Sequence, residues 1–147
     1  MDYNKFNLYL LKNKRRKEKN LEKKGINTNL IEAPVLNDLI IDAIQDIKGK
    51  NIVKLDLRDL DDSPADYFII CEGDSTTQIK AISENIVRRT KEDLKIRPSH
   101  VEGVQGSKWI LVDYFDTIVH VFYPETRDFY EVEELWSDAK STEYQNI

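Results

Sequence analysis

Residues 67–78 read Tyr67-Phe68-Ile69-Ile70-Cys71-Glu72-Gly73-Asp74-Ser75-Thr76-Thr77-Gln78. The run Tyr67 to Cys71 is apolar on both faces of an extended chain, the signature of a central strand covered on both sides. Gly73-Asp74-Ser75 then turns it into a helix. Ser75 and Gln78 have the spacing of a capping box, in which the hydroxyl accepts from the Gln78 backbone N–H and the amide reaches back. That helix runs through Ile79, Ile82 and Ile86 to Leu94 and stops before Pro98.

Upstream, Leu36, Leu39, Ile40, Ala43, Ile44 and Ile47 fall three and four residues apart, on one face of an amphipathic helix opened by Pro34 and capped by Gly49. Ile52 to Leu57 reads as a strand with Val53, Leu55 and Leu57 on one side. Downstream come a short strand at His100 to Glu102, a turn bracketed by Gly103 and Gly106, and a hairpin. The hairpin pairs Trp109–Val112 with Thr117–Phe122 around a tip of Asp113, Tyr114, Phe115 and Asp116. Pro124 opens a short helix, and Leu135 and Trp136 add a last apolar anchor. The order α, β, β, α, β, β, β, α predicts one α/β domain: a sandwich built on a mixed sheet of about five strands, flanked by helices, with a nucleotidyltransferase-like topology.

The 147 residues carry a net charge of −5, and the average hides a split. Residues 1–33 hold nine Lys or Arg against four acids, for +5, whereas residues 34–147 hold 13 against 23, for −10. The expected organisation is a basic N-terminal arm over 1–33, flexible or partly helical, a domain over 34–139, and a C-terminal tail over 140–147. The arm's apolar cluster, Phe6 to Leu11, is too short and too early for a secretory signal. With two Arg and no Ser, the arm is also a poor match to a mitochondrial transit peptide. Lys12 to Lys24 is read as a solvated tail, with an rRNA contact as the sharper alternative. No apolar run approaches the roughly 20 residues needed to span a bilayer. The expected location is the cytoplasm, with an organelle as the alternative.

Catalytic readings fare poorly. Cys71, the single cysteine, cannot form an internal disulfide and belongs to the buried run. His100 and His120 leave zinc only a carboxylate-dominated site, and no cofactor is expected. The Gly73-Asp74-Ser75 turn lacks the glycine spacing of a P-loop or a dinucleotide fingerprint. Asp113 and Asp116 invite comparison with the magnesium carboxylates of a minimal nucleotidyltransferase, the alternative activity. Three residues apart on one strand, however, they would face opposite ways; on a hairpin tip they could converge, but solvated and with no Lys or Arg beside them to neutralise a triphosphate.

Residues 36 to about 139 resemble the ribosomal silencing factor family RsfS, also called Iojap. The likeness runs in order through "DLIIDAIQDIKGKNIVKLDLR", "SPADYFIICEGDSTTQ", "HVEGVQGSKWILVDYFDTIVHVF", "ETRDFYEVEELW" and "SDA". Phe115 departs from it, standing where the family usually has a small residue, and Ser137 stands where Gly is common. The resemblance implies a non-enzymatic factor that binds the large ribosomal subunit through its protein fourteen and sterically blocks joining of the small subunit. It also implies translational repression when nutrients are short, with large-subunit assembly as a role of organellar members. Trp109, Ile110, Leu111 and Asp113 match the family's ribosome-contacting edge. Trp109 is expected as anchor, Leu111 as its support, and Asp113 and Asp116 as partners for Arg or Lys of the ribosomal protein. Asp66 and Tyr67 match a further family segment and are included as contact residues, while Arg127, Tyr130 and Trp136 are read as packing. Exposed aromatics leave a homodimer open.

Overall fold

The structure is a computed structural model and describes residues 1–12 and 33–147. Residues 3–12 form helix α1. There follow α2 (Ala33–Asp46), β1 (Lys50–Asp56), β2 (Tyr67–Glu72), α3 (Thr76–Leu94), β3 (His100–Glu102), β4 (Trp109–Asp113) and β5 (Thr117–Phe122). The chain then forms α4 (Pro124–Tyr130), a 3-10 turn (Val132–Trp136) and β6 (Lys140–Tyr144). The arm beyond residue 12, including most of the Lys12 to Lys24 run, lies outside the described residues.

The mixed α/β domain is as read, but among the described residues its sheet has six strands, ordered β3-β4-β5-β2-β1-β6. The sixth comes from the segment expected as a tail. Lys140–Tyr144 pairs antiparallel with β1 as an exposed edge strand. Only β2 and β5 run parallel, with Phe68 beside Ile118 and Ile70 beside His120. They form the middle of the sheet, and every residue of β5 is buried.

Both faces of the sheet are covered. On one, Ile69, Cys71, Ile110, Val112, Val119 and Val121 pack with Ile40, Ile44, Ile79, Ile82 and Ile86 of α2 and α3. On the other, Leu55, Phe68, Ile70, Trp109, Leu111, Ile118 and Phe122 pack with Phe6 of α1 and Val132. Side chains alternate along each strand, so a strand apolar at every position feeds both layers at once.

The Ser75 half of the capping box forms, while the Gln78 amide reaches one residue further back than the N-cap. Gln78 N donates to Ser75 Oγ at 3.1 Å, while Gln78 Oε1 accepts from Asp74 N at 2.7 Å. Its Nε2 donates to Ile47 O and Lys48 O at 2.9 and 3.1 Å, closing the end of α2 as well. At that end the left-handed residue is Lys48 (φ 61), not Gly49. Gly49 is required for space, because a Cβ there would lie 2.3 Å from Ile44 Cγ2.

Arg127 fastens α4 to the sheet. It donates to Glu133 Oε1 at 2.7 Å, to Asn51 O at 2.7 Å and to Glu72 Oε1 at 3.1 Å, with its side chain only 10% exposed. This supports the reading of Arg127 as a packing residue.

The hairpin tip is strained. Phe115 sits at φ 79 while Asp116 N donates to Tyr114 O at 3.1 Å, the arrangement of the unfavourable form of the γ-turn. A bulky residue there costs of the order of 1–3 kcal/mol. Phe115→Gly is therefore expected to raise stability by about 1 kcal/mol, read as a higher urea midpoint at unchanged slope.

Candidate partner-binding site

β4 pairs with β5 in the register Trp109↔Phe122, Leu111↔His120 and Asp113↔Ile118. This brings Trp109, Leu111, His120 and Phe122 onto one face, and sends Ile110 and Val112 to the α2–α3 layer. Alternation would have allowed one of these faces to meet solvent. Neither does: Trp109, Ile110, Leu111 and Asp113 are all 0% exposed. They do not form an open edge, because β4 is flanked by β3 and β5 and covered on both sides.

The cover over Trp109 is aromatic. Ring centroids of Phe122, Phe6 and Tyr130 lie 4.9, 5.0 and 5.2 Å from its own. Tyr3 of α1 stacks on Tyr130 at 5.7 Å, and the Met1 nitrogen donates to Trp109 O at 2.9 Å. Trp109 Nε1 donates to His120 Nδ1 at 3.2 Å, which assigns the remaining imidazole proton to Nε2. Among the described residues, His120 Nε2 is buried with no hydrogen-bond partner. Complete burial drives the His120 pKa down to about 3, against a smaller upward pull from Asp113, so the ring is neutral.

Asp113 has a structural task. Its Oδ1 accepts from Phe115 N at 2.7 Å, bracing the hairpin tip, and its Oδ2 accepts from Tyr9 Oη of α1. Its backbone oxygen accepts from Ser99 N at 2.8 Å. Asp116 and Asp66 are partly exposed and adjacent, since Asp66 N and Tyr67 N both donate to Asp116 O at 2.9 and 3.0 Å. The Tyr67 ring is buried in β2 beneath Arg58, whose guanidinium lies 5.3 Å from the ring centroid and pairs with Asp56 at 2.7 Å. The hydrogen bond from Arg58 holds the Asp56 carboxyl below its usual range. Asp56, Asp66, Asp113 and Asp116 therefore cluster at one end of the sheet, alongside Asp59, Asp61 and Asp62 of the β1–β2 loop.

The sequence missed the cover. Phe6 is 0% exposed and Tyr9 reaches Asp113, yet both sit in a Lys- and Asn-rich segment whose charge reads as solvated. A cavity of about 500 Å³ separates α1 from the β3–β4 edge, lined by Lys5, Tyr9, Lys12, His100, Glu102 and Asp113 among others.

The nucleotide reading loses its footing in the Gly73–Ser75 turn. Gly73 N donates to Phe122 O, Asp74 N to Gln78 Oε1 and Gln78 N to Ser75 Oγ, so these three amides are not free to cradle a phosphate. Asp74 itself pairs with Lys50 Nζ at 2.7 Å. Among the described residues no three His, Cys, Asp or Glu side chains are grouped to hold a metal. No helix among them is long and apolar enough to cross a membrane.

Residues 31–147 match the family model described as ribosomal silencing factor during starvation, RsfS. A protein of Halalkalibacterium halodurans named ribosomal silencing factor RsfS is 32% identical over 112 residues, 76% of this chain and 94% of the relative. A crystal structure of a Chromobacterium violaceum protein superposes with a TM-score of 0.69 at 37% identity, covering 73% of this chain and 88% of the other. A mouse protein named mitochondrial assembly of ribosomal large subunit protein 1 is 37% identical over 75 residues, 49% of this chain and 32% of the relative.

Burial of His120 predicts a pH dependence. Its folded value, about 3, lies below the ordinary 6.5, so above pH 6.5 the ring is neutral in both states and adds no slope. Below 6.5 only the unfolded chain takes up the proton, and stability falls by up to about 1.4 kcal/mol per pH unit. Urea unfolding at pH 7.5 and pH 5.0 is expected to differ by about 2 kcal/mol from this group. The difference shrinks in His120→Phe, whatever that variant's absolute stability.

Proposed function

Because the chain belongs to the RsfS family of ribosomal silencing factors, we propose that it binds the large ribosomal subunit through its protein fourteen and sterically blocks joining of the small subunit. The observation that carries this reading is the family match over residues 31–147, which takes in the whole of the described sheet. The mechanism is occlusion, with no chemical step and no cofactor, and its place of action is the cytoplasm.

Charge supports the choice of partner. The body carries −10, and seven of its 23 acids lie at the sheet end where Asp66, Asp113 and Asp116 meet the β1–β2 loop. Ribosomal proteins are basic, so such an end attracts one and repels bare rRNA. Charge of this kind sets orientation and association rate more than affinity. Affinity comes from desolvated aromatic and apolar anchors. Trp109, supported by Leu111, is the proposed anchor, with Asp113 and Asp116 answering Arg or Lys of the partner and Asp66 and Tyr67 beside them. Ile110, on the opposite face of β4, supports the strand from behind.

A second reading, assistance to large-subunit assembly, draws on the name of the mouse relative. Subunit joining separates the two. Added to purified subunits at low magnesium, the protein is expected to sediment with large but not small subunits and to slow the rise in light scattering on joining. Co-sedimentation with joining unimpaired would leave the assembly reading in place of occlusion. Failure to sediment with large subunits would remove both.

A further inference from the structure

The face that carries Trp109 is already occupied by the chain itself. We propose that α1 is a self-docked cover that competes with the protein partner for this face, seating Phe6 on Trp109 and His120 and Tyr9 on Asp113. It must leave before the partner docks. The inference rests on the partner reading above.

The cover is lightly held. Of α1, only Phe6 is fully buried; Tyr9 and Leu10 are partly buried against the same layer, and Leu8 and Leu11 are 59% and 69% exposed. A helix of about three turns is not stable by itself in water, so undocking also melts it. The sheet beneath is built to outlast that loss. β4 keeps its hydrogen bonds to β3 and β5, and the α2–α3 layer does not involve α1. The family domain begins at residue 31, so α1 lies outside the shared fold.

α1 also fits its seat imperfectly. Phe6 meets His120 edge-on, with ring centroids 5.5 Å apart, and offers no acceptor to the buried Nε2 proton. Phe6 thus fills the volume over the imidazole without completing its hydrogen bonding, and an occupant that supplies an acceptor gains over it. In other respects α1 imitates a basic protein. It sets an aromatic knob on Trp109, a hydroxyl on Asp113, and Lys5 and Lys12 along the cavity wall with Glu102. Joined to the domain through residues 13–32, it acts as an intramolecular ligand at high effective concentration. The measured affinity for the partner is then reduced by the fraction of molecules whose cover is open.

Affinity for purified large subunits, measured with the full chain, tests this. Phe6→Ala and Tyr9→Phe are each expected to tighten binding, Phe6→Ala by about tenfold or more. Tyr9→Phe keeps the packing and carries the test if Phe6→Ala does not fold by circular dichroism. In the opposite direction, Tyr3→Cys with Tyr130→Cys places two thiols where stacked rings now lie 5.7 Å apart, and Cys71 is buried and out of reach. Closing that pair with a short bis-maleimide is expected to abolish binding relative to the same variant before coupling. Equal binding by the full chain, the loosened variants and the coupled form would overturn the cover while leaving the partner reading intact. If no form binds large subunits, the partner reading fails and the cover falls with it.

Discussion

The constraint on which the structure depends is that its central strands are apolar on both sides. β2 and β5 lie parallel in the middle of the sheet, and their residues feed the two layers alternately. Neither layer can be left open without exposing a row of Ile, Val and Phe side chains to water. On one face two long amphipathic helices meet the requirement. On the other the covering elements are short, and large rings take the place of length: Phe6, Phe68, Trp109, Phe122, Tyr130 and Trp136 close that layer. Aromatic side chains suit this because each buries much apolar area while fixing few torsions.

That second layer is where packing and function meet. Trp109 and Leu111 lie inside it, so the residues proposed to hold a partner are also residues of the core. A contact surface made of core residues must be uncovered before use, whereas the acids at the sheet end remain partly accessible through Asp66 and Asp116. Electrostatic approach and apolar docking are thereby separated in space. In the proposed scheme the acidic end orients a basic protein first, and the aromatic layer engages only after α1 has given way.

Much of this was legible in the sequence. The two-sided apolar run at Tyr67–Cys71, the Ser75–Gln78 cap and the hairpin around Tyr114–Asp116 each rest on local chemistry that leaves a mark in residue order. β6 does not, because KSTEY is polar throughout and its place at the edge comes from backbone pairing with β1, which needs no apolar side chain. The docking of α1 was hidden for a related reason. One fully buried Phe and a few scattered contacts from Met1, Tyr3, Tyr9 and Leu10 hold it, and none shows through nine basic residues. At β4, alternation identified which residues share a face but not that both faces would be covered, since the second cover comes from a segment more than 90 residues away.

Cys71, at the end of β2, is fully buried in the α2–α3 layer, and loss of water pushes its thiol pKa up to about 12. Near neutral pH only about one such thiol in 10⁵ is ionised, so oxidants and electrophiles meet no nucleophile in the interior. The interior of the domain is thereby insulated from peroxides and disulfides that attack exposed thiolates. A partner or cover that comes and goes on the opposite face leaves this thiol where it is, so the domain's response is decoupled from thiol chemistry.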